Sequence, residues 1–263
     1  HEFGKTVGIQ HDVDSKSGQD YYLGHGQWGP IMGASYGPTK RPISQFSKGE
    51  YTGATNTSQD DVQTITKYIK AGFKVDKHSN TITGATKLKT NGTGTVKAED
   101  NTGIIEQRTD KDVFTFTTSG GDVKLDINPA DDFLDHPDLD IQARLLDSKG
   151  MELALSNPTG LNASFAQNLA AGTYYIEIDG VGYGSPLNTG YSDYGSLGYF
   201  DISGSFPEVS TGVDEGINPA EISVFPCPVK DIVTIIFPST IKNELVILNS
   251  LGEVVYSNNS IAD

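Results

Sequence analysis

The chain has 263 residues, which is enough for one large domain or for two to three small ones. Its 19 basic and 34 acidic residues give a formal net charge of −15, which disfavours nucleic acid and acidic membranes as partners. The single cysteine, Cys227, excludes an intrachain disulfide, and no apolar stretch of the sequence is long enough for a membrane span.

Residues 1–80 predict two helices in an otherwise irregular, Gly-rich segment. Residues 1–7 can form one helical stretch that Gly8 closes. A second helix is predicted over residues 60–70, with either Ser58 or Asp60 as its N-cap.

From Gly103 onwards the apolar residues follow a period of two, which is the spacing of a strand with one buried face. The alternating segments are 113–116, 123–127, 141–145, 174–178 and 200–202. Turn signals rich in Gly, Ser, Asn and Asp separate them, and this predicts an antiparallel β-sandwich over residues 103–206. Residues 81–102 are polar and rich in Gly and Thr, which predicts a linker with at most one strand.

Residues 207–220 predict a second linker, and a third unit is expected over residues 221–263. Its predicted strands are 232–237, 244–248 and 254–256, which favours a small β-sandwich-like domain. The expected fold class is therefore multi-domain and mainly β, with an α+β segment in front of two β units. Because the chain starts at His1 without a Met and stops abruptly, we expect it to be a fragment of a longer protein.

The first twelve residues carry the strongest chemical pattern. A helix places residues i and i+4 on one face, so positions 1 and 5 point the same way. Two histidines at this spacing, with a Glu directly after the first, can bind Zn²⁺ and use the Glu as general base. His1, Glu2, Gly8 and His11 stand at the positions of an extended zinc motif, whereas position 5 is Lys5.

Two further segments support this motif. Residues 21–51 and 56–65 resemble, in chain order, the stretch that follows the zinc helix in a group of metzincin metallopeptidases secreted by bacteria. The resemblance covers residues 1–80 and implies the C-terminal part of a truncated α+β peptidase domain. In that family the edge strand that aligns substrate precedes the zinc helix, so we expect the chain as given not to cleave protein.

The metzincin resemblance implies a site and an activity. His1 and His11 would bind Zn²⁺, and Glu2 would be the catalytic base. Met32 lies 21 residues after His11, where the family has its methionine turn beneath the metal. The implied function is that of a secreted zinc metalloendopeptidase acting on extracellular protein.

Lys5 replaces the second zinc-ligand histidine, and this places the activity in doubt. Lysine has a reference pKa of ~10.4, so near neutrality it carries a proton where a metal ligand needs a lone pair. Its long stem can swing the charge away and leave two histidine ligands. Alternatively, its ammonium can occupy the metal position and pair with Glu2. In both arrangements zinc binding is weakened or lost.

Residues 103–206 also resemble a known module. Segments 112–116 and 169–176 are similar to the strands of the bacterial pre-peptidase C-terminal domain, a β-sandwich that follows secreted peptidase domains. The resemblance implies an accessory role in substrate binding, stability or secretion, and no catalytic residue.

Residues 222–263 resemble part of the C-terminal sorting domain of type IX secretion. Segments 222–235, 245–249 and 251–256 carry the similarity, and Cys227 stands where that family usually has Asn. The resemblance implies the type IX machinery as a partner, and a protein that is secreted or held at the cell surface of a Gram-negative bacterium.

Calcium is the second expected cation, since secreted acidic chains can hold it through carboxylates. One candidate is the Tyr- and Gly-rich segment 179–184 together with residues 191–195, which also suits stacking on sugars or peptides. Another is the acidic cluster Asp131, Asp132, Asp135, Asp138 and Asp140. For both segments the alternative is an ordinary loop without a ligand. The negative net charge also has an alternative explanation, which is that it keeps the protein soluble.

Three functions remain open from the sequence. The first is a secreted metzincin-type peptidase. The second is a non-catalytic secreted protein, derived from a peptidase, that binds protein or polysaccharide. The third is a purely structural surface module.

Overall fold

The computed structural model describes residues 1–35, 41–70, 72–130, 137–209, 223–225, 231–236, 245–248 and 254–258. The chain divides into two compact units, His1–Val209 and Ser210–Asp263. Strands outnumber helices in the first unit, and paired strands form the described part of the second, so the prediction of a mainly β protein is confirmed.

The first unit contains two α-helices and twelve strands among its described residues. The helices are α1 (Glu2–Thr6) and α2 (Asp61–Ile69). The strands before the sandwich region are β1 (Trp28–Pro30) and β2 (Ile43–Gln45). The remaining strands are β3 (Thr86–Lys87), β4 (Thr95–Val96), β5 (Thr102–Ile105), β6 (Lys111–Thr118), β7 (Gly121–Pro129), β8 (Ile141–Leu146), β9 (Glu152–Ser156), β10 (Ala163–Leu169), β11 (Gly172–Gly180) and β12 (Gly198–Ser205).

Two five-stranded sheets form a β-sandwich. One has the order β10-β7-β12-β4, with β5 also on β12, and the other has the order β3-β6-β11-β8-β9. All of these pairs are antiparallel except β3 with β6. The predicted alternation holds: Val123, Leu125 and Ile127 of β7 are buried, and the residues between them are exposed. Both sheets contribute to one core, as expected for a sandwich.

The segment expected to be a linker, residues 81–102, contributes to this sandwich. Its strands β3 and β4 pair with β6 and β12, and Leu88 and Val96 join the core at 1% and 2% exposure. These two apolar residues stand singly among Gly, Thr and Lys. Such strands have no alternating run, so the period of two is invisible there.

Helix α2 (Asp61–Ile69) lies within the range predicted from the sequence, residues 60–70, and both of its caps are defined. The Asp60 side chain accepts a hydrogen bond from Gln63 N (2.9 Å), so Asp60 and not Ser58 is the N-cap. Lys70 takes the left-handed conformation after the last turn.

Residues 181–195 of the sandwich pack onto the N-terminal segment, residues 1–70. The hydroxyl of Tyr194 donates to Asp60 Oδ1 (2.8 Å) and accepts from Val62 N (2.9 Å), at the first turn of α2. His25 Nε2 donates to the carbonyl of Gly190 (2.7 Å). The N-cap of α2 is therefore completed by a side chain from 132 to 134 residues away in sequence.

An apolar cluster reinforces the same contact. Trp28, Ile43, Tyr51 and Tyr191 are buried together. Tyr191 also donates to Asp140 Oδ2 (2.8 Å). Two of the three tyrosines of this predicted ligand loop, Tyr191 and Tyr194, are thus used inside the protein, whereas Tyr183 is 47% exposed.

In the second unit the described residues form two antiparallel pairs. Strand β13 (Ser223–Phe225) pairs with β14 (Thr234–Ile236), and β15 (Leu245–Leu248) pairs with β16 (Val254–Asn258). The last three coincide with the strands predicted from sequence. Cys227 lies outside the described residues. Among the described helices, none combines the length and apolar character that crossing a membrane requires.

We predict that Tyr194→Phe destabilises the first unit by about 1–3 kcal/mol, because the substitution leaves Val62 N and Asp60 without their shared hydroxyl. Tyr68→Phe is the matched control, since Tyr68 is 55% exposed on α2 and should change stability by less than about 0.5 kcal/mol. Thermal and urea unfolding of both variants measure the difference. Equal stability of the two variants would contradict the proposed role of the hydroxyl.

Candidate metal centre

Helix α1 lies directly against Met32. Gly4 is the buried residue of this helix, and a Cβ at that position would clash with Met32 Sδ and approach Met32 Cε to 3.1 Å. Met32 is fully buried in a cluster with Val7 and Ile9, and Phe46 packs against the cluster. A larger residue at position 4 would therefore require the fully buried Met32 side chain to shift.

The chain reverses after α1 and returns His11 to the start of the helix. Gly8 has φ +89°, which side chains rarely adopt, and Ile9 N donates to Gly4 O (2.9 Å). The rings of His1 and His11 consequently lie with their centroids 5.2 Å apart. Tyr21 packs against both rings, at 5.9 Å from His1 and 4.5 Å from His11.

A backbone carbonyl orients the His1 ring. Nδ1 of His1 lies 2.8 Å from the carbonyl oxygen of Ile31, and a carbonyl only accepts, so Nδ1 is the donor. In the neutral ring the lone pair is then on Nε2. Histidines that bind metals commonly donate their other nitrogen to a carbonyl in this way. The contact joins His1 to the residue directly before Met32.

Asp12 fixes the backbone beside His11. Its N–H donates to Met32 O (3.0 Å), and its carbonyl accepts from Tyr22 N (2.8 Å). Its buried carboxyl accepts from the Tyr51 hydroxyl (3.3 Å). Burial raises the pKa of Asp12 to about 6, and the hydrogen bonds from Tyr51 and Asn56 limit the rise. The sequence motif ended at His11 and did not identify this anchor.

Glu2 and Lys5 are both exposed on α1. The ion pairs found within the described ranges include none between Lys5 and Glu2. Of the five residues singled out by the sequence, His1 and His11 lie with their ring centroids 5.2 Å apart, and the carbonyl of Met32 is hydrogen-bonded to Asp12, the residue after His11. Glu2 and Lys5 lie on the helix that supplies His1.

The residues fit a zinc ion in part. Two imidazoles on one tetrahedral Zn²⁺, with Zn–N of about 2.1 Å, have ring centroids roughly 5 Å apart, which matches the spacing of His1 and His11. A catalytic zinc site uses three protein ligands and keeps one position for water. In the zinc motif predicted from the sequence the remaining ligand position is that of Lys5, whose ammonium is a donor without a lone pair. The donor set is thus one ligand short of a catalytic centre.

Only two residues of the acidic cluster that was predicted as a calcium site, Asp138 and Asp140, are described. Asp131, Asp132 and Asp135 lie outside the described residues. Burial raises the pKa of Asp138 to about 7 and that of Asp140 to about 6. Gln45 Nε2 donates to the carbonyl of Asp138 (2.7 Å), so this strand entrance belongs to the contact with the N-terminal segment.

No family model and no curated protein matches this sequence. Among solved structures, the chain is similar to the pre-peptidase C-terminal domain of collagenase from Bacillus anthracis, at 17% identity and a TM-score of 0.31. The match covers 46% of this chain and 94% of that domain. At this identity and TM-score the similarity assigns no function to the chain.

We predict that Gly4→Ala destabilises the first unit by about 1–3 kcal/mol, although alanine is the better helix former, because its Cβ collides with Met32. The double variant Gly4→Ala/Met32→Ala should cost less than the sum of its single variants, because removing the thioether removes the collision. Thr6→Ala, at an exposed position of α1, is the control. Urea unfolding of the wild type, the two single variants and the double variant gives the coupling free energy between positions 4 and 32. Strict additivity of their effects on stability would contradict the packing argument.

Proposed function

We propose that residues 1–80 derive from the catalytic domain of a secreted zinc metalloendopeptidase of the metzincin type. In this proposal His1 and His11 bind the metal, Glu2 is the catalytic base, and Met32 forms the floor. The 5.2 Å separation of the two histidine ring centroids carries the proposal, and Met32 is buried in the apolar cluster against which α1 packs. The metzincin motif requires two such residues, separated by a helical turn and a glycine reversal, to share one site.

Lys5 determines what this centre can do. A positive charge about 4 Å from a divalent cation costs roughly 8 kcal/mol at an effective dielectric of 20, so the lysine must leave the site before the metal enters. The exposure of Lys5 supports that arrangement. With two imidazoles remaining, zinc binds weakly and hydrolysis is severely reduced or lost.

The second candidate is a non-catalytic protein that retains the peptidase scaffold and binds extracellular protein or polysaccharide. The missing third ligand favours it. The sandwich, which we propose to be of the pre-peptidase C-terminal type, would then supply the binding surface. The purely structural module is the third candidate.

We also propose export by type IX secretion, through residues 221–263, to the exterior or surface of a Gram-negative cell. Support comes from the sequence similarity of segments 222–235, 245–249 and 251–256 and from the strands that overlap them. The proposed substrate is therefore extracellular.

We predict that Lys5→His raises zinc affinity at least tenfold, which corresponds to about 1.4 kcal/mol or more, by adding the third imidazole and removing a charge. Competition with a chromophoric chelator measures the affinity. Lys5→Gln removes the charge without adding a ligand, and Lys67→His adds an imidazole on α2. The zinc affinity of neither control should reach that of Lys5→His. The double variant Lys5→His/His11→Ala should lose the gain in affinity.

Unchanged zinc affinity in Lys5→His would show that the centre is misplaced. Zinc content and hydrolysis of an unfolded protein substrate separate the candidate functions. One zinc per chain together with cleavage of an unfolded protein substrate supports the peptidase. Binding of that substrate without zinc supports the second candidate. Absence of both cleavage and binding supports the structural module.

A further inference from the structure

Two adjoining cavities lie where the N-terminal segment meets the sandwich. The larger has a volume of about 410 Å³ and is lined by the start of β6, the end of β11 and part of the loop that follows β11. The smaller has a volume of about 230 Å³ and is lined by the first turn of α2 and residues 107–109. Because Arg108 and Thr109 line both cavities, we treat them as one junction groove. Ligand sites typically have volumes of about 300–1,000 Å³ and favour such junctions.

The walls of the junction groove are fixed by contacts within the protein. Tyr194 lines the smaller cavity, and its hydroxyl is held by the first turn of α2. Gly180 and Gly182 line the larger cavity, and a Cβ at either position would clash with a backbone carbonyl oxygen, that of Ser196 or that of Tyr191. This part of the wall therefore presents peptide groups instead of side chains. A preformed groove binds a ligand without first having to order its own loops.

The charges of the junction groove are compensated within it. Each described Lys or Arg that lines it forms an ion pair: Arg108 with Asp193 (2.8 Å), Lys111 with Asp179 (3.3 Å) and Lys48 with Glu50 (3.4 Å). A ligand carboxylate or ammonium would have to compete with one of these partners. The net charge of −15 further opposes an anionic ligand.

The same ion pairs suit an uncharged ligand that carries hydroxyl groups. A guanidinium and a carboxylate each offer more hydrogen-bonding positions than one ion pair uses. The side chains of Arg108 and Asp193 stay 48% and 34% exposed, so their remaining donors and acceptors are accessible from the groove. A hydroxyl both donates and accepts, and it can therefore bond to either member of such a pair.

The smaller cavity adds an apolar surface. Phe73 lines it and is 40% exposed, beside the partly buried Val62 and Leu197. An aromatic ring attracts C–H groups to the electron-rich face of its π system. A sugar ring has C–H groups on its faces and hydroxyls around its edge, so it can pack on Phe73 while its hydroxyls reach the ion pairs. An aromatic platform next to compensated charges matches this division.

An extended peptide fits the junction groove less well. Peptides commonly bind by adding a strand to the free edge of a sheet. Strand β11, whose last residues line the larger cavity, lies between β6 and β8 and has no free edge. A peptide in the groove would therefore lack main-chain pairing with this strand.

We propose that the junction groove binds a neutral oligosaccharide, as a segment of an extracellular polysaccharide. Arg108 and Asp193 bond to its hydroxyls, and Phe73 packs against one sugar ring. The inference rests on the second candidate function, the non-catalytic binding protein, and names the chemical class of its ligand. It requires neither zinc nor the histidine pair, because neither His1 nor His11 lines the groove.

The test is isothermal titration calorimetry of the whole chain with neutral hexasaccharides of glucose, xylose and mannose. We expect at least one to bind with a Kd below about 1 mM. That Kd should change less than about twofold when NaCl is raised to about 0.5 M, because no net charge is neutralised. Hexagalacturonate, which is anionic, should bind at least about tenfold more weakly.

Three outcomes would overturn the proposal. They are no binding of any neutral hexasaccharide, binding of hexagalacturonate as tight as that of the best neutral sugar, and binding of gelatin alone. Gelatin binding would leave the second candidate function standing with protein as its ligand. Failure of every probe to bind would count against that candidate as well. Zinc affinity is measured separately, so the peptidase proposal stands or falls independently.

Variants locate the site. Arg108→Ala and Phe73→Ala should each weaken sugar binding at least about tenfold. Arg144→Ala removes a similarly exposed, ion-paired guanidinium on β8, and Tyr199→Ala removes an exposed aromatic ring on β12. Neither of these control residues lines the groove, and both controls should keep wild-type affinity. Thermal unfolding verifies that all four variants fold. Wild-type affinity in Arg108→Ala and Phe73→Ala would refute the site.

Discussion

The close approach of α1 to Met32 is the constraint on which the N-terminal site depends. Gly4 allows the helix to rest on the methionine, and the reversal at Gly8 then returns the chain beside the helix start. The reversal at Gly8 is local and lets His11 approach His1. The contact of His1 with Ile31 spans 30 residues of sequence, so the site depends both on the local reversal and on the packing of the Met32 loop.

The first unit buries acidic groups with unusual frequency for a chain whose net charge is −15. Most of them have an identifiable neutral donor. Tyr51 donates to Asp12, Tyr191 donates to Asp140, and Ser47 N donates to Asp61. Each hydrogen bond offsets part of the cost of burial. Asp112 also has a neutral donor, Ile104 N, but it differs in its neighbours, because oxygens of Asp76, Asp110 and Asp112 lie within 4.8 Å of one another.

Sequence periodicity predicted the sandwich well because burial on one face imposes a period of two on long strands such as β6, β7 and β11. It failed for β3 and β4, which are two residues long. The zinc motif identified the histidine pair because its spacing is local. Tyr21, Asp12 and the packing of Tyr194 on α2 gave no such signal, since their partners are brought near only by the tertiary fold.

The histidine pair is held by contacts that involve no metal. A carbonyl orients His1, the backbone of Asp12 is bonded to Met32, and the floor is an apolar cluster. These contacts do not involve the side chain of Lys5, so they hold the two rings whichever residue stands at position 5. Lys5 is exposed, so its presence costs the fold little, even though in the proposed zinc centre it stands where a ligand is expected. Loss of catalysis and retention of the fold are thus compatible in this chain, and the architecture of the centre alone does not imply that it is active.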